Sequence, residues 1–463
     1  MNRQRRKFLR AAAAGGIAYA FGRTPGTVYA QMAGGGSFTD YKAMVCLFMF
    51  GGNDSWNMVV PTSTAEYNAY AASRGGGTAS SLAIPQASLL PLNSLTPDPI
   101  GASYGLHPSM AGLQTLFNTG KAAVLANVGP LIRPTTKAQY QTPGWDLPPQ
   151  LFSHNDQQDQ WHSLRGKQIL RSGWGGRVAD VLNSQTGSQQ LSLNVSLAGQ
   201  TYFQAGDVAT PYVMGATGAN TFAGFSTTPG TTTLARRTAF EAIANASYNT
   251  IYERGFAAVQ KRAVQFADRV NGALGASRSF TSLPDSGVQL SPLATQLRTV
   301  AKMISVKDRL TMSRQIFFVS TGGFDSHDDL LQDQPGLLGN ISASVKSFYD
   351  ALTEMGMENS VTLFTHSDFG RTLTSNGDGS DHAWGGVQLA VGGAVRGQNI
   401  YGRYPVLTIN GPDDVSGGRM IPTTSADQYA ATLARWFGVS DTNLPLVAPS
   451  IGNFTQRDLG FMV

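Results

Sequence analysis

Residues 44–50, Met-Val-Cys-Leu-Phe-Met-Phe, are apolar without interruption and stop at Gly51-Gly52-Asn53-Asp54. An unbroken apolar run of this length fits a strand buried on both faces, and so a parallel sheet covered by helices. The same punctuation recurs twice. Residues 315–320 run into Gly322-Gly323-Phe324-Asp325-Ser326-His327, and residues 361–365 run into His366-Ser367-Asp368-Phe369-Gly370-Arg371. Asp381-His382-Ala383-Trp384-Gly385-Gly386 follows soon after. Strand-end loops are where α/β folds build their sites, so acids and histidines collected there point to chemistry.

The segments between keep the α/β rhythm. Residues 106–119 carry helical apolar spacing and residues 122–128 read as a second buried strand, giving a strand–helix–strand unit. Helices are predicted over 157–164, 293–306, 337–355 and 425–437, and a further short strand over 388–391. Residues 201–233 are rich in Gly, Thr and Ala and read as irregular, whereas 239–270 read as one long helix. Residues 187–279 are therefore expected to be an insertion or cap. The fold class is α/β, a three-layer sandwich with a mostly parallel central sheet.

Arg5-Arg6-Lys7-Phe8-Leu9-Arg10, the small apolar stretch after it and Val28-Tyr29-Ala30 read as a twin-arginine export signal over residues 1–30. That predicts a periplasmic or secreted protein, exported folded, whose main domain spans 31–463. The segment holds six of the 34 Lys and Arg and none of the 29 acids, so residues 31–463 carry 28 bases against 29 acids. This balance gives no footprint for nucleic acid. No later run reaches the ~18 apolar residues of a membrane span. Cys46, the single cysteine, cannot form a disulfide within the chain and reads as a buried hydrophobe.

Asp325 and His327 stand two apart after a glycine turn, on one side of extended backbone, where they can hold one divalent ion or else cap a turn and face solvent. Asp plus His ligation suits zinc or manganese. His366 and Asp368 repeat that spacing, and Arg371 beyond them either grips an oxyanion or forms a structural ion pair. His382 is either a solvated loop histidine or, being close in sequence to His366 and Asp368, a further ligand. Asp54, directly after the first strand, is a strand-end ligand or an Asx-turn. Ser153, before His154 and the predicted helix, is either a nucleophile favoured by the helix dipole or an N-cap with Asp156 at the third helical position.

The order of Asp54, Ser153, Asp325 with His327, Asp368 and His382 resembles the alkaline phosphatase and sulfatase superfamily. The chain looks more specifically like a bacterial family of twin-arginine-exported proteins of unknown function, a distant branch of that superfamily. Leu106-His107-Pro108, Ser153-His154, Gly173-Trp174-Gly175-Gly176-Arg177 and the strand-end motifs carry the likeness. It implies an alkaline-phosphatase-like fold with two divalent ions about 4 Å apart. By this likeness Asp325, His327 and His382 hold one ion and Asp54 and Asp368 the other. Zinc or manganese is favoured over calcium or magnesium. Ser153 would be the nucleophile, and Arg371 or His154 would stabilise the transferring group.

The chain departs from the phosphatases in having His366-Ser367-Asp368 where they carry adjacent Asp and His, and it lacks the sulfatase Cys/Ser-x-Pro-x-Arg motif near Ser153. The resulting expectation is an exported metal-dependent hydrolase of phosphate or sulfate esters, small or polymer-borne. The alternative is a non-catalytic exported binding or assembly protein that keeps the fold and a structural metal, with another exported protein as partner.

Overall fold

The computed structural model describes residues 38–463 apart from 184, 187–190, 221–223 and 226–227; the expected export signal lies outside them. Its centre is a nine-stranded sheet. From one edge the order is Ile400–Tyr401, Ala122–Gly129, Gly386–Val391, Val361–Ser367, Lys42–Met49, Arg314–Thr321, Asn194–Ser196 and Tyr212–Val213, with Thr424–Ser425 also paired to Ala122–Gly129. Lys42–Met49 pairs in parallel with Arg314–Thr321 on one side and Val361–Ser367 on the other. Gly386–Val391 alone runs against both of its neighbours.

The uninterrupted apolar runs are explained by burial on both faces. Ala43, Val45, Leu47 and Met49 point into a core shared with helices Ala111–Asn118, Pro292–Ser305 and Leu330–Glu354. Met44, Cys46 and Phe48 point the other way, against helices His154–Ser163, Trp174–Leu182 and Ala426–Phe437. Helix, sheet and helix make the three-layer α/β sandwich that the sequence predicts, with Cys46 a buried free thiol.

Three features differ from the sequence expectations. The strands at 42–49 and 122–129 are not neighbours, because Val361–Ser367 and Gly386–Val391 lie between them. Asn194–Ser196 and Tyr212–Val213, expected within an insertion starting at 187, instead extend the main sheet beyond Arg314–Thr321. The long helix expected over 239–270 is two helices, Thr232–Ala244 and Ile251–Leu274. The second starts at a capping box in which the Thr250 hydroxyl accepts from the Glu253 N–H and the Glu253 carboxylate accepts from Thr250. No helix among the described residues is long and apolar enough to cross a membrane.

Register brings the site together. Met49 stands opposite both Thr321 and Ser367, so three parallel strands end in line and their loops emerge side by side. Gly51, at φ +116°, lies so close to the backbone of Asp325 that a Cβ there would clash with it. The loop after the first strand can thus pack directly on the loop that carries Asp325 and His327.

Asp427 opens the helix Ala426–Phe437 and is buried, its Oδ1 accepting the Ser450 N–H at 2.8 Å. Burial raises its pKa from 3.8 to about 7, against the opposing pull of that N–H and of Arg177. An unfolded carboxyl ionises near 3.8 while the folded one holds its proton, so this group's stabilising contribution is full below that pH. It is lost as pH rises to about 7 and changes no further above it. Asp427→Asn keeps the acceptor and removes the titration. Urea unfolding should show the variant gaining on the native protein by about 3–4 kcal/mol between about pH 4 and pH 7, with a constant difference above; a pH-independent difference would refute this assignment.

Candidate metal centre

Three imidazoles and one carboxylate converge at the strand-end edge. Asp325 Oδ1 lies 3.4 Å from His154 Nε2, 3.2 Å from His327 Nε2 and 3.4 Å from His382 Nε2. His327 Nε2 and His382 Nε2 are 2.9 Å apart. Among the described residues His154, Asp325 and His382 form the group that could hold a metal ion, and His327 reaches two of its three donor atoms. Asp325 is half exposed and the imidazoles are less so, leaving the cluster open on one side.

Each imidazole is held by its other nitrogen. His154 Nδ1 faces Asp368 Oδ2 at 2.7 Å, His327 Nδ1 faces Asp381 Oδ1 at 3.3 Å, and His382 Nδ1 faces the Phe152 carbonyl at 2.8 Å. These partners can only accept, so Nδ1 carries the hydrogen in neutral His154 and His382 and Nε2 keeps its lone pair, and the nearby Asp381 carboxylate favours the same tautomer of His327. Two such lone pairs 2.9 Å apart repel unless a proton or cation sits between them. Burial lowers the His382 pKa, and His154, Arg371 and His327 add to that, so this ring favours the neutral, ligating form. The Asp325 carboxyl is raised by burial but lowered by more through Arg371, His154 and His327, and it stays ionised.

The local sequence explains the tethers. Phe152 adopts φ +73°, a left-handed conformation uncommon for a bulky residue, and its carbonyl accepts from His382. Ser153 and His154 then start the helix His154–Ser163. One turn in, Gln158 donates to the same Asp368 oxygen as His154, at 2.8 Å. His382 ends the short strand Ser380–His382, which pairs with Arg371–Ser375, bringing Arg371 opposite it.

The expected site residues separate into those that meet and those that do not. Asp325, His327, His382 and His154 come together, with His154 Nε2 turned toward the Asp325 carboxylate. Asp368 is fully buried behind His154 and orients it, so it stands one step removed from the donor atoms. Asp54 takes another partner. Its Oδ2 forms an ion pair with Arg74, both side chains being buried, while its Oδ1 accepts the Trp56 N–H at 3.2 Å. Both of its oxygens are thereby engaged within the core, whereas Asp325, though also paired with an arginine, is half exposed.

Arg371 is also committed elsewhere. It donates to the carbonyls of Gly51, Gly52, Phe324 and Ser380 and to Asp325, so the oxyanion-gripping role expected for it is replaced by a structural one. His366, two residues before Asp368, is buried among Trp161, Trp174 and Phe364. Ser153 is half-buried and donates to Asp156 Oδ2 at 2.7 Å, without accepting a hydrogen bond from the helix.

Asp381 and the Phe152 carbonyl were not anticipated. Adjacency to His382 was the one sequence signal for Asp381, and a backbone carbonyl leaves none. Arg419 was missed as well: its Nε donates to the His382 carbonyl at 3.0 Å and its guanidinium lies 5.3 Å from the Phe152 ring centre, beside the cluster.

No curated protein matches the chain. Solved structures similar to it include Ps i-CgsB in complex with k-i-k-neocarrahexaose, at 9% identity over 88% of this chain and 74% of that one, with a TM-score of 0.33. The PsFucS1 sulfatase from Pseudoalteromonas sp. matches at 10% identity over 96% and 73%, also with a TM-score of 0.33. A family model matches residues 41–446, nearly the whole described chain, and the protein belongs to that family, described as protein of unknown function (DUF1501).

Proposed function

We propose that this protein is a hydrolase of phosphate or sulfate esters that depends on a divalent ion held by His154, His327, His382 and Asp325. The observation that carries the reading is the convergence of three imidazole Nε2 atoms, each tethered through Nδ1, on one carboxylate oxygen. Donors bound at about 2.0–2.1 Å around a tetrahedral ion stand about 3.3–3.4 Å apart. Four of the six donor–donor spacings, 2.9–3.4 Å, are close to that, and the donor atoms of His154, Asp325 and His382 lie within 4.8 Å of one another. Three nitrogens and one oxygen favour zinc over calcium or magnesium. We take one centre in place of the two that the family likeness implies, because both Asp54 oxygens are engaged within the core and Asp368 lies behind His154.

When bound, such an ion would polarise an ester oxygen and lower the pKa of a neighbouring hydroxyl. Ser153 lies in sequence between Phe152, whose carbonyl orients His382, and His154. Its hydroxyl proton already points at Asp156, which would take it as Oγ attacks phosphorus or sulfur and the P–O or S–O bond to the alcohol breaks; the alcohol leaves with a proton from solvent, and water then cleaves the seryl ester to regenerate Ser153. Arg419, beside His382 and less committed than Arg371, would receive the anionic group. The ester class comes from the family likeness, and the open, histidine-rich edge is compatible with it.

The first test is metal content. Protein purified without chelator should carry about one equivalent of zinc, lost in His382→Ala, whereas Asp54→Asn should keep the ion. Breaking the buried Asp54–Arg74 pair should instead destabilise the fold by about 3–5 kcal/mol in urea unfolding. Metal loss from Asp54→Asn in a still-folded protein would restore it as a ligand.

The second test is hydrolysis of p-nitrophenyl phosphate and sulfate. Ser153→Ala should lower kcat by about a hundredfold or more, and Arg419→Gln should chiefly raise KM. A zinc-loaded protein inert toward both esters would favour the non-catalytic binding protein.

A further inference from the structure

Away from this site, helices Thr232–Ala244 and Ile251–Leu274 pack together, with Arg237 of the first paired to Asp268 of the second. The second helix buries Ala257, Val264, Ala267 and Val270 on one side. Its first half presents another apolar stripe outward. Tyr252, Phe256, Val259 and Ala263 recur at helical spacing and are all exposed. Ile243, Ile251, Tyr252, Phe256 and Val259 are between 64% and 85% exposed. A run of large apolar side chains left in water on one helix face marks an interaction surface, unlike scattered exposed residues.

Charge narrows what covers it. Of the 28 bases and 29 acids in residues 31–463, six bases and only three acids fall in 232–276, leaving the remainder with 22 bases and 26 acids. The helix pair is therefore net positive on an otherwise acidic chain. Its three acids are all engaged: Glu241 and Asp268 with Arg237, and Glu253 in the capping box. Arg254, Lys261 and Arg262 enter no ion pair among the described residues. Arg254 and Lys261 instead donate to uncharged oxygens, and Arg262 lies 6.0 Å from the Phe266 ring centre.

We propose that this helix pair docks on an anionic lipid surface, with Tyr252, Phe256 and Val259 entering the headgroup–acyl boundary and Arg254, Lys261 and Arg262 meeting lipid phosphates. An amphipathic helix with a basic polar side and aromatic and aliphatic residues opposite is built for that boundary. A second copy of the chain fits less well. Its matching patch carries the same positive charge, and five large apolar side chains fall short of the roughly 20–30 residues a side of a stable interface. This inference is independent of the metal centre.

Co-sedimentation of the full chain with phosphatidylglycerol or phosphatidylcholine vesicles tests it. Partition onto phosphatidylglycerol should exceed that onto phosphatidylcholine by about tenfold or more. It should fall by a similar factor in Phe256→Ser/Val259→Ser and, separately, in Arg254→Gln/Lys261→Gln/Arg262→Gln. The altered side chains are largely solvent-facing and residues 1–30 are common to all three proteins, so an unchanged melting temperature ties any loss to this face. Equal partition onto both lipids, or variants that bind like the native chain, would overturn the proposal. So would absence of lipid binding together with an oligomer that Phe256→Ser/Val259→Ser dissolves.

Discussion

The site depends on where one buried cation finds its partners. The Arg371 side chain is fully buried, and a guanidinium in that position must have its donors satisfied and its charge balanced. It draws in the carbonyls of Gly51 and Gly52 from the loop after the first strand, Phe324 from the loop after a second and Ser380 from the strand that carries His382. Asp325 supplies the balancing charge. Three stretches, two of them distant from Arg371 in sequence, are thereby fixed around one planar group, and the carboxylate that neutralises it is the one on which the three imidazoles converge. The close approach at Gly51 belongs to the same arrangement, since a side chain there would push the first loop away from Asp325.

The chain's six histidines divide by environment. His107, His162 and His366 are buried, and burial lowers all three pKa values, that of His162 to about 3. Desolvation dominates there, so those rings stay neutral and serve as packing; His162 and His366 lie in an aromatic layer with Phe48, Trp161 and Trp174. The other three are partly exposed and each is anchored through one nitrogen with the other turned outward. Exposure separates the two sets, since His107 is anchored as well, its Nδ1 accepting the Ser109 N–H at 3.1 Å.

Much of the framework was legible in the sequence because the uninterrupted apolar run at 44–50 and the largely apolar stretches at 315–320 and 361–365 fit strands covered on both faces. Asp325, His327 and His382 were legible because they follow those runs or lie close to them. Strand direction was not, since an apolar run reads alike in either sense, and 386–391 proved antiparallel. The positions of Asp54 and Arg371 were identifiable but their partners were not. A strand-end acid looks the same whether it faces a site or an arginine such as Arg74, which arrives from the end of a different helix. Asp368 shows the same limit, as its distance from the donor atoms depends on how the His154 ring is turned.

The tethers of the three imidazoles come from residues 152, 368 and 381, and the rings themselves from 154, 327 and 382. No short segment contains a working subset, and the tautomer of each ring is favoured by a group remote in sequence or in a different loop. An ion held by the proposed centre would therefore find high affinity only after the sheet has closed, which would make its uptake a late event in the maturation of the chain. Once bound, the ion would link the loops after two strands to the start of a helix nearly two hundred residues upstream, and the free energy of binding would be shared with the whole fold.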